Sequence, residues 1–449
     1  MFTDARGLQI SCVEKDSAQT CSAAIESFIR RQTDTIPLLQ QSMAHEPDQP
    51  FTQALYGLMM HGARKSSLLP DINTALTKAT QSDIAITHRE QCYVDALNHA
   101  CHGDLFAMVS CYETILQRDP TDILALSLAQ GELFWLGEME HSRRLSEMVQ
   151  PAWSDAVEGY PEYLSVLAFD LEEAGQYQQA EEVGRQSVAL RDTNAWGTHA
   201  VAHVLYMQGR HQQGVDWLTD KQDRWSNTNQ IKYHIWWHQC LFHLEQGQHD
   251  VVLEYYDRWV RNHSEALVQV TPDLYIDLQN GASLLWRLEQ QGVDIADRWD
   301  EMAALVASRT DDMSSPFTSA HYAVILAATG QYDACDALIA AMNQFADSST
   351  YTLASRFHDA AIPSAIAAVE HRKGRYQNVI DVLMPKRHEL WQMGGSHAQQ
   401  DLFHQILVDA AVKQQNKPMV AMLLKEIEAI GFAAPCDNVA YQTAGQLIQ

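Results

Sequence analysis

The chain has 449 residues, more than one ordinary compact domain contains, so we expect either several domains or one long repeat array. Hydrophobic residues make up 46% of the sequence and charged residues 20%, as in folded globular proteins. The 57 acidic residues outnumber the 31 basic ones and give a net charge of −26. This excess argues against a nucleic-acid partner and against docking on anionic membranes.

Targeting and redox features predict a cytoplasmic protein. The stretch MFTDARGLQISCVEKD at the N-terminus lacks a basic segment followed by an apolar core, so we expect no secretion signal. No apolar run approaches the roughly 20 residues that a membrane-spanning helix needs, so we expect no membrane span. The eight cysteines are irregularly spaced and form no CxxC motif, a pattern typical of reduced structural thiols.

A short phrase recurs along the chain, in which an apolar helical stretch ends at a glycine and a polar residue follows. It occurs at intervals of 34 to 45 residues, at Gly103, Gly137, Gly175, Gly209, Gly247, Gly292, Gly330 and Gly374. A glycine at this place closes one helix with a left-handed cap before the next helix begins. The pattern predicts an all-α fold, a tetratricopeptide-like α-α superhelix of stacked helical hairpins. We expect residues 1–85 to form an N-terminal helical cap and residues 86–449 to form the repeat superhelix, continuous with the cap.

Two HxxxH motifs lie one repeat apart. His199 and His203 form the first, and His234 and His238 form the second, each exactly 35 residues later. Residues four apart share one face of a helix, so two equivalent helices would point four imidazoles at one region. Counting back from the closing glycines places these side chains on the concave face of the superhelix, together with Trp196 and Trp237.

The chain resembles the tetratricopeptide repeat protein 38 family over nearly its full length. The matching stretches are THREQCYVDAL (87–97), DPTDILAL (119–126), NAWGTHAVAHV (194–204), HIWWHQCLFHLEQGQ (234–248), SLLWRLEQQGV (283–293), SAHYAVILAA (319–328) and GGSHAQQDLFHQIL (394–407). The resemblance implies a tetratricopeptide fold and cytoplasmic placement, and it leaves the biochemical role poorly defined. The motif positions include Arg287, Gly394 and Gly395, together with residues considered below as site candidates.

We expect these motif residues to line a binding pocket. The candidates for ligand binding are Trp196, His199, His203, His234, Trp237, His238, Asp277, His321, Ser396 and Asp401. Any one buried histidine is more often a packing residue, but several titratable groups buried together destabilise a fold unless they are paired, liganded or hydrated. Ser396 could simply cap a helix, or it could belong to a backbone nest for an anionic group.

Two kinds of chemistry suit the set. Imidazole binds zinc, copper, iron or nickel, so His199, His203, His234 and His238 are candidate ligands of a divalent metal. The HExxH motif of zinc proteases is absent, because Ala200 and Ile235 follow the first histidine of each pair. Without a metal, His203 or His238 paired with Asp277 could act as a general acid or base.

Three functions remain open from the sequence. The favoured one is a repeat protein whose concave groove binds a small polar molecule or a peptide. The second is an enzyme of hydrolase or lyase type that uses the histidines and Asp277, or a bound metal. The third is a structural scaffold with a histidine-rich core. Homodimerisation through a terminal repeat is a further option that no motif specifies.

Overall fold

The computed structural model describes residues 2–435 and 438–449. Two short strands, β1 (Phe2–Thr3) and β2 (Gln9–Ile10), pair antiparallel at the N-terminus. The helices of the first 85 residues are α1 (Lys15–Ile29), α2 (Thr35–His45), α3 (Pro50–Gly62) and α4 (Leu69–Gln81). The strand pair departs from the expected all-helical N-terminus, and it packs beside α1 as a small appendage.

The remaining chain is helical. Its helices are α5 (His88–Cys101), α6 (Leu105–Arg118), α7 (Ile123–Leu136), α8 (Met139–Val149), α9 (Tyr160–Glu173), α10 (Tyr177–Leu190), α11 (Ala195–Met207), α12 (His211–Thr219), α13 (Gln222–Trp225), α14 (Ile231–Leu244), α15 (His249–Tyr255), α16 (Ala266–Val270), α17 (Tyr275–Gln290), α18 (Arg298–Val306), α19 (Pro316–Ala328), α20 (Tyr332–Ser348), α21 (Leu353–Arg356), α22 (Ile362–Arg372), α23 (Tyr376–Leu383), α24 (His397–Lys413), α25 (Lys417–Ala429) and α26 (Gln442–Ile448). Single π-helical turns at Tyr256–Val260 and Phe357–Ala361 continue α15 and α21.

Consecutive helices form antiparallel hairpins, such as α7 with α8, α9 with α10 and α11 with α12. All eight glycines of the recurring phrase have a positive φ, from 67° to 77°. Because a residue with a Cβ is strained in this conformation, glycine fixes where the first helix of each hairpin ends. The prediction of an all-α superhelix of tetratricopeptide-like hairpins is confirmed.

The two helices of a hairpin differ in burial. The first helices are buried on nearly all sides, as in α11, where every residue except Trp196 is buried. The second helices bury one face only; α10 buries Ala180, Gly184, Ser187 and Val188. First helices from distant repeats also meet, since α24 packs against α11 and α17. Polar residues on the first helices are therefore held inside the superhelix and not on an open surface.

The C-terminal segment lies against the repeats. The Ala433 backbone N–H donates to the Met207 carbonyl (2.9 Å), and the Val439 N–H donates to the Glu245 carboxylate (2.8 Å). The Tyr441 hydroxyl donates to Asp401. These contacts join the end of the chain to α11, α14 and α24. Cys436, one of the eight cysteines, lies outside the described residues, and the cysteines that are described are free thiols.

None of the described helices combines the length and the apolar composition that crossing a membrane requires.

Candidate functional site

Two neighbouring first helices carry the histidine cluster, which we define as His199, His203, His234 and His238. Helix α11 begins at Asn194, whose side chain accepts a hydrogen bond from the Gly197 N–H (3.0 Å). Gly197 also allows α10 to approach closely, since a Cβ there would lie 2.7 Å from the Ser187 hydroxyl oxygen. Helix α14 packs directly against α11. This arrangement brings the two HxxxH faces together.

The four imidazoles converge on one point. One ligand nitrogen from each ring can be chosen so that all four lie within 4.8 Å of one another. The Nε2 atoms of His199 and His203 are 3.0 Å apart, and the ring centroids of His203 and His238 are 4.3 Å apart. The closest pair is at hydrogen-bonding distance, a few tenths of an ångström shorter than the about 3.3–3.4 Å that separates two nitrogens bound tetrahedrally to one zinc ion at roughly 2.0–2.1 Å.

The imidazoles are buried and uncharged. None of the four residues is more than 3% exposed, which differs from the expected open groove. Burial lowers the pKa of His203 and of His234 to about 3, and burial with the neighbouring imidazoles lowers the pKa of His199 and His238 well below the usual range. The neutral imidazole is the form that binds metal ions.

A hydrogen bond to Asn280 sets the orientation of the His234 ring, and two carboxyl groups lie beside the His203 ring. The Nδ1 of His234 lies 2.9 Å from the Asn280 side-chain oxygen, so Nδ1–H donates and Nε2 keeps its lone pair. The Nδ1 of His203 lies 3.5 Å from Oε2 of Glu172 and 3.8 Å from Oε1 of Glu173. Metal-binding histidines commonly donate their second nitrogen to an oxygen acceptor, as Nδ1 of His234 does here, whereas Nδ1 of His203 makes no hydrogen bond within the described residues.

Many polar atoms of the histidine cluster and of the adjacent Glu172 and Glu173 lack a partner within the residues that the structure describes. They are Nδ1 of His199 and His203, both ring nitrogens of His238, both oxygens of Glu172 and one oxygen of Glu173. Each unpaired buried polar group costs roughly 1–3 kcal/mol. A bound group that contacted these atoms would remove this cost.

Aromatic side chains enclose the cluster. The ring of His199 contacts Phe169 and Trp196, at centroid distances of 5.5 Å and 4.8 Å, and the ring of His234 stacks on Trp237 at 5.0 Å. The Arg31 guanidinium lies over the outer face of Trp196, 4.6 Å from its centroid. The two tryptophans named by the sequence therefore form walls of the site.

The structure does not bring Asp277 to the histidines. Asp277 is buried in the first turn of α17, and among the described residues no ion pair joins it to His203 or His238. Burial raises its pKa to about 7, and Oδ1 has no partner in the described part of the chain. Asn280, one helical turn later, contacts His234 instead. The carboxylates beside His203 are Glu172 and Glu173.

The other residues that the sequence suggested, His321, Ser396 and Asp401, make contacts typical of structural residues. The Nδ1 of His321 donates to the Phe317 carbonyl (2.8 Å), and its ring packs on Phe317 and Phe403. Ser396 caps α24 in a reciprocal box with Gln399. Asp401 accepts hydrogen bonds from Gln405, Tyr441 and Arg287.

Sequence reasoning missed Glu172, Glu173 and Asn280. The two glutamates are adjacent at the end of a mostly apolar helix, LSVLAFDLEEAG, and this was the available indication. Asn280 gave no such indication in the sequence, because an amide side chain on a helix is common on protein surfaces.

The solved structures that resemble this chain include two distant helical proteins. Yeast Tom70 is 11% identical with a TM-score of 0.38, and the match covers 97% of this chain and 89% of that chain. A monomeric mutant of IFIT1, solved with Gppp-AAAA, is 12% identical with a TM-score of 0.40, and the match covers 96% of this chain and 100% of that chain. No protein-family model matches the chain. Neither likeness bears on what this chain binds.

Proposed function

We propose that this tetratricopeptide-like protein binds a divalent transition metal through its histidine cluster. The observation that carries the proposal is the convergence of four neutral, buried imidazoles within 4.8 Å of one another. Imidazole ligands suit zinc, copper, nickel and iron, and the two nearby carboxylates offset the charge of the ion. The metal would join α11 to α14, so that binding and stability of the superhelix are coupled.

The test is a zinc titration of the untagged, full-length protein after removal of metal with a chelator. We expect saturable binding accompanied by a rise in the thermal unfolding midpoint, and loss of the zinc ion of the histidine cluster together with most of that rise in the double variant His234→Ala/His238→Ala. His321→Gln is the matched control, because His321 is equally buried but hydrogen-bonded outside the cluster. Equal binding by the double variant and the wild type would contradict the proposal.

A second candidate function is binding of a small polar molecule, favoured by a cavity of about 560 Å³ beside the C-terminal segment. Its lining carries both signs of charge, from the acidic Glu245 and Asp409 and the basic Arg287. It also includes the polar residues His249, Gln405 and Thr443. Such a lining suits a zwitterion. Saturation-transfer NMR with a panel of free amino acids tests this function, and Thr443→Trp, which fills the cavity, should abolish any transfer.

Catalysis is the third candidate, and it rests on the metal. A hydrolase or lyase would use the bound ion to polarise its substrate or activate water. The acid/base pairing of His203 or His238 with Asp277 has no support in the distances. Membership of the tetratricopeptide repeat protein 38 family, a cytoplasmic location, a peptide ligand, homodimerisation and the boundary near residue 85 stay predictions.

A further inference from the structure

A second group of ligands lies next to the histidine cluster. We define the acidic pair as Glu172 and Glu173, the last two residues of α9. Their side chains are 0% and 3% exposed. Three of their four carboxylate oxygens have no hydrogen-bond partner among residues 2–435 and 438–449. The fourth, Oε2 of Glu173, lies 3.4 Å from both the backbone nitrogen and the Nδ1 of His397.

The His203 ring stands between the two groups. Its Nε2 faces the histidine cluster, 3.0 Å from Nε2 of His199, and its Nδ1 faces the acidic pair at 3.5 Å and 3.8 Å. Nδ1 is buried and has no hydrogen-bond partner in the described structure. Glu172, Glu173 and His203 form a second set whose ligand atoms lie within 4.8 Å of one another.

The acidic pair offers its oxygens to a cation. Two carboxylates buried side by side repel each other unless a positive charge lies between them or they take up protons, and burial raises the pKa of Glu172 to about 8 and the pKa of Glu173 well above its usual range. A cation that binds here displaces those protons. The ion-pair partners of the pair within the described residues are imidazoles, His203 and His397, and not a lysine or an arginine. A divalent cation would neutralise both carboxylates and would satisfy the unpaired oxygens.

We propose that the acidic pair and His203 bind a second divalent cation, bridged through the His203 imidazole to the metal in the histidine cluster. This proposal rests on the proposed function. The neutral His203 ring carries one N–H proton. Its unprotonated nitrogen binds the first ion through a lone pair without proton loss, and binding of the second ion by the other nitrogen releases that one proton to solvent. Carboxylate ligands with one imidazole suit Mn²⁺, Fe²⁺ or Zn²⁺.

The experiment measures metal stoichiometry in the full-length chain. Chelator-stripped protein is dialysed against Zn²⁺, or against Zn²⁺ followed by Mn²⁺, and the bound metal is counted by elemental analysis. We expect two ions per chain in the wild type and one in Glu172→Gln/Glu173→Gln, whose amides keep the shape of the acids. The matched control is Asp170→Asn, on the same helix and equally buried but hydrogen-bonded to Gln130 and Ser142, and it should keep two ions.

Two further variants separate this inference from the proposed function. His234→Ala/His238→Ala should keep the ion at the acidic pair and lose the other, whereas His203→Ala should weaken binding of both ions. One ion in the wild type and one in the glutamine variant would overturn the second site and leave the histidine cluster standing. No ion in the wild type would overturn both. Unchanged affinity for the second ion in His203→Ala would overturn the bridge.

Discussion

Two groups of buried polar side chains lie inside the superhelix, and they differ in how their atoms are paired. The first is the arginine network, which we define as Ser283, Arg287, Asp401, Gln405 and Tyr441. Arg287 donates to the Ser283 and Ala398 carbonyls and faces Asp401 at 3.5 Å, and Asp401 accepts from Gln405 and Tyr441. Only Nε of Arg287 lacks a partner in this network within the described residues.

The second group is the histidine cluster together with the acidic pair. It is as deeply buried, but most of its polar atoms are unpaired within the described residues. It holds four imidazoles and two carboxyl groups, and its hydrogen bonds between side chains in the described chain are those of His203 with His199 and of His234 with Asn280. A network that satisfies itself gains stability from its own pairing, whereas one that does not needs another group to offset the cost of desolvation. The comparison is consistent with a structural role for the first group and supports the proposed binding role of the second.

The largest expected effect comes from breaking the arginine network. Arg287→Met leaves the Asp401 carboxylate buried without its cation, which costs roughly 3–5 kcal/mol of stability. We expect a lower midpoint in chemical denaturation together with unchanged zinc affinity of the folded protein. If Arg287→Met lost zinc affinity by as much free energy as it lost stability, the arginine network and the histidine cluster would not be energetically separate.

A smaller effect is expected from a change that frees the His234 ring from its hydrogen-bond partner. Asn280→Ala removes the acceptor that fixes the His234 ring, and loss of such a partner weakens metal binding by about 10–100-fold. Titration with zinc at constant pH measures this change, and Asn280→Asp, which keeps an oxygen acceptor, should retain most of the affinity. If Asn280→Ala bound zinc as tightly as the wild type, the hydrogen bond that fixes the His234 tautomer would have no role in metal binding.

The unpaired state of the histidine cluster makes an unusual prediction about stability. His238 has two ring nitrogens without a partner in the described structure, so an apolar replacement of similar volume removes a cost. His238→Leu should change the stability of the metal-free protein by less than about 1 kcal/mol, while zinc no longer stabilises it. A loss as large as that of Arg287→Met would mean that the imidazole already stabilises the fold without metal.

The smallest effect concerns pH at the edge of the arginine network. Burial raises the pKa of Glu245 from its usual range to about 7. Between the unfolded and folded pKa values the folded state binds more protons, so this group's contribution to stability is present below about pH 4.5 and is lost as pH rises through 7. Glu245→Gln keeps the acceptor for Val439 and should remove about 1 kcal/mol of this pH dependence. An unchanged pH profile would contradict the shift.

The sequence predicted the fold more fully than the site, for a physical reason. The glycine spacing repeats within each hairpin, because every hairpin needs the same left-handed cap, and it predicted where eight helices end. The 35-residue offset likewise predicted that the two HxxxH motifs face each other. The contacts with Glu172, Glu173 and Asn280 depend on how far neighbouring hairpins rotate against one another. No local pattern encodes that rotation, and Asp277 was chosen where Asn280, one turn later, is the residue that reaches His234.

The most direct test of the account is a crystal structure of the untagged protein, with diffraction data collected on both sides of the absorption edge of the metal it retains. We predict an anomalous peak between His199, His203, His234 and His238, with ring nitrogens at about 2.0–2.1 Å from it. Imidazoles that hydrogen-bond to one another or to water, with no anomalous peak among them in zinc-soaked crystals, would contradict the claim that the cluster is a metal site.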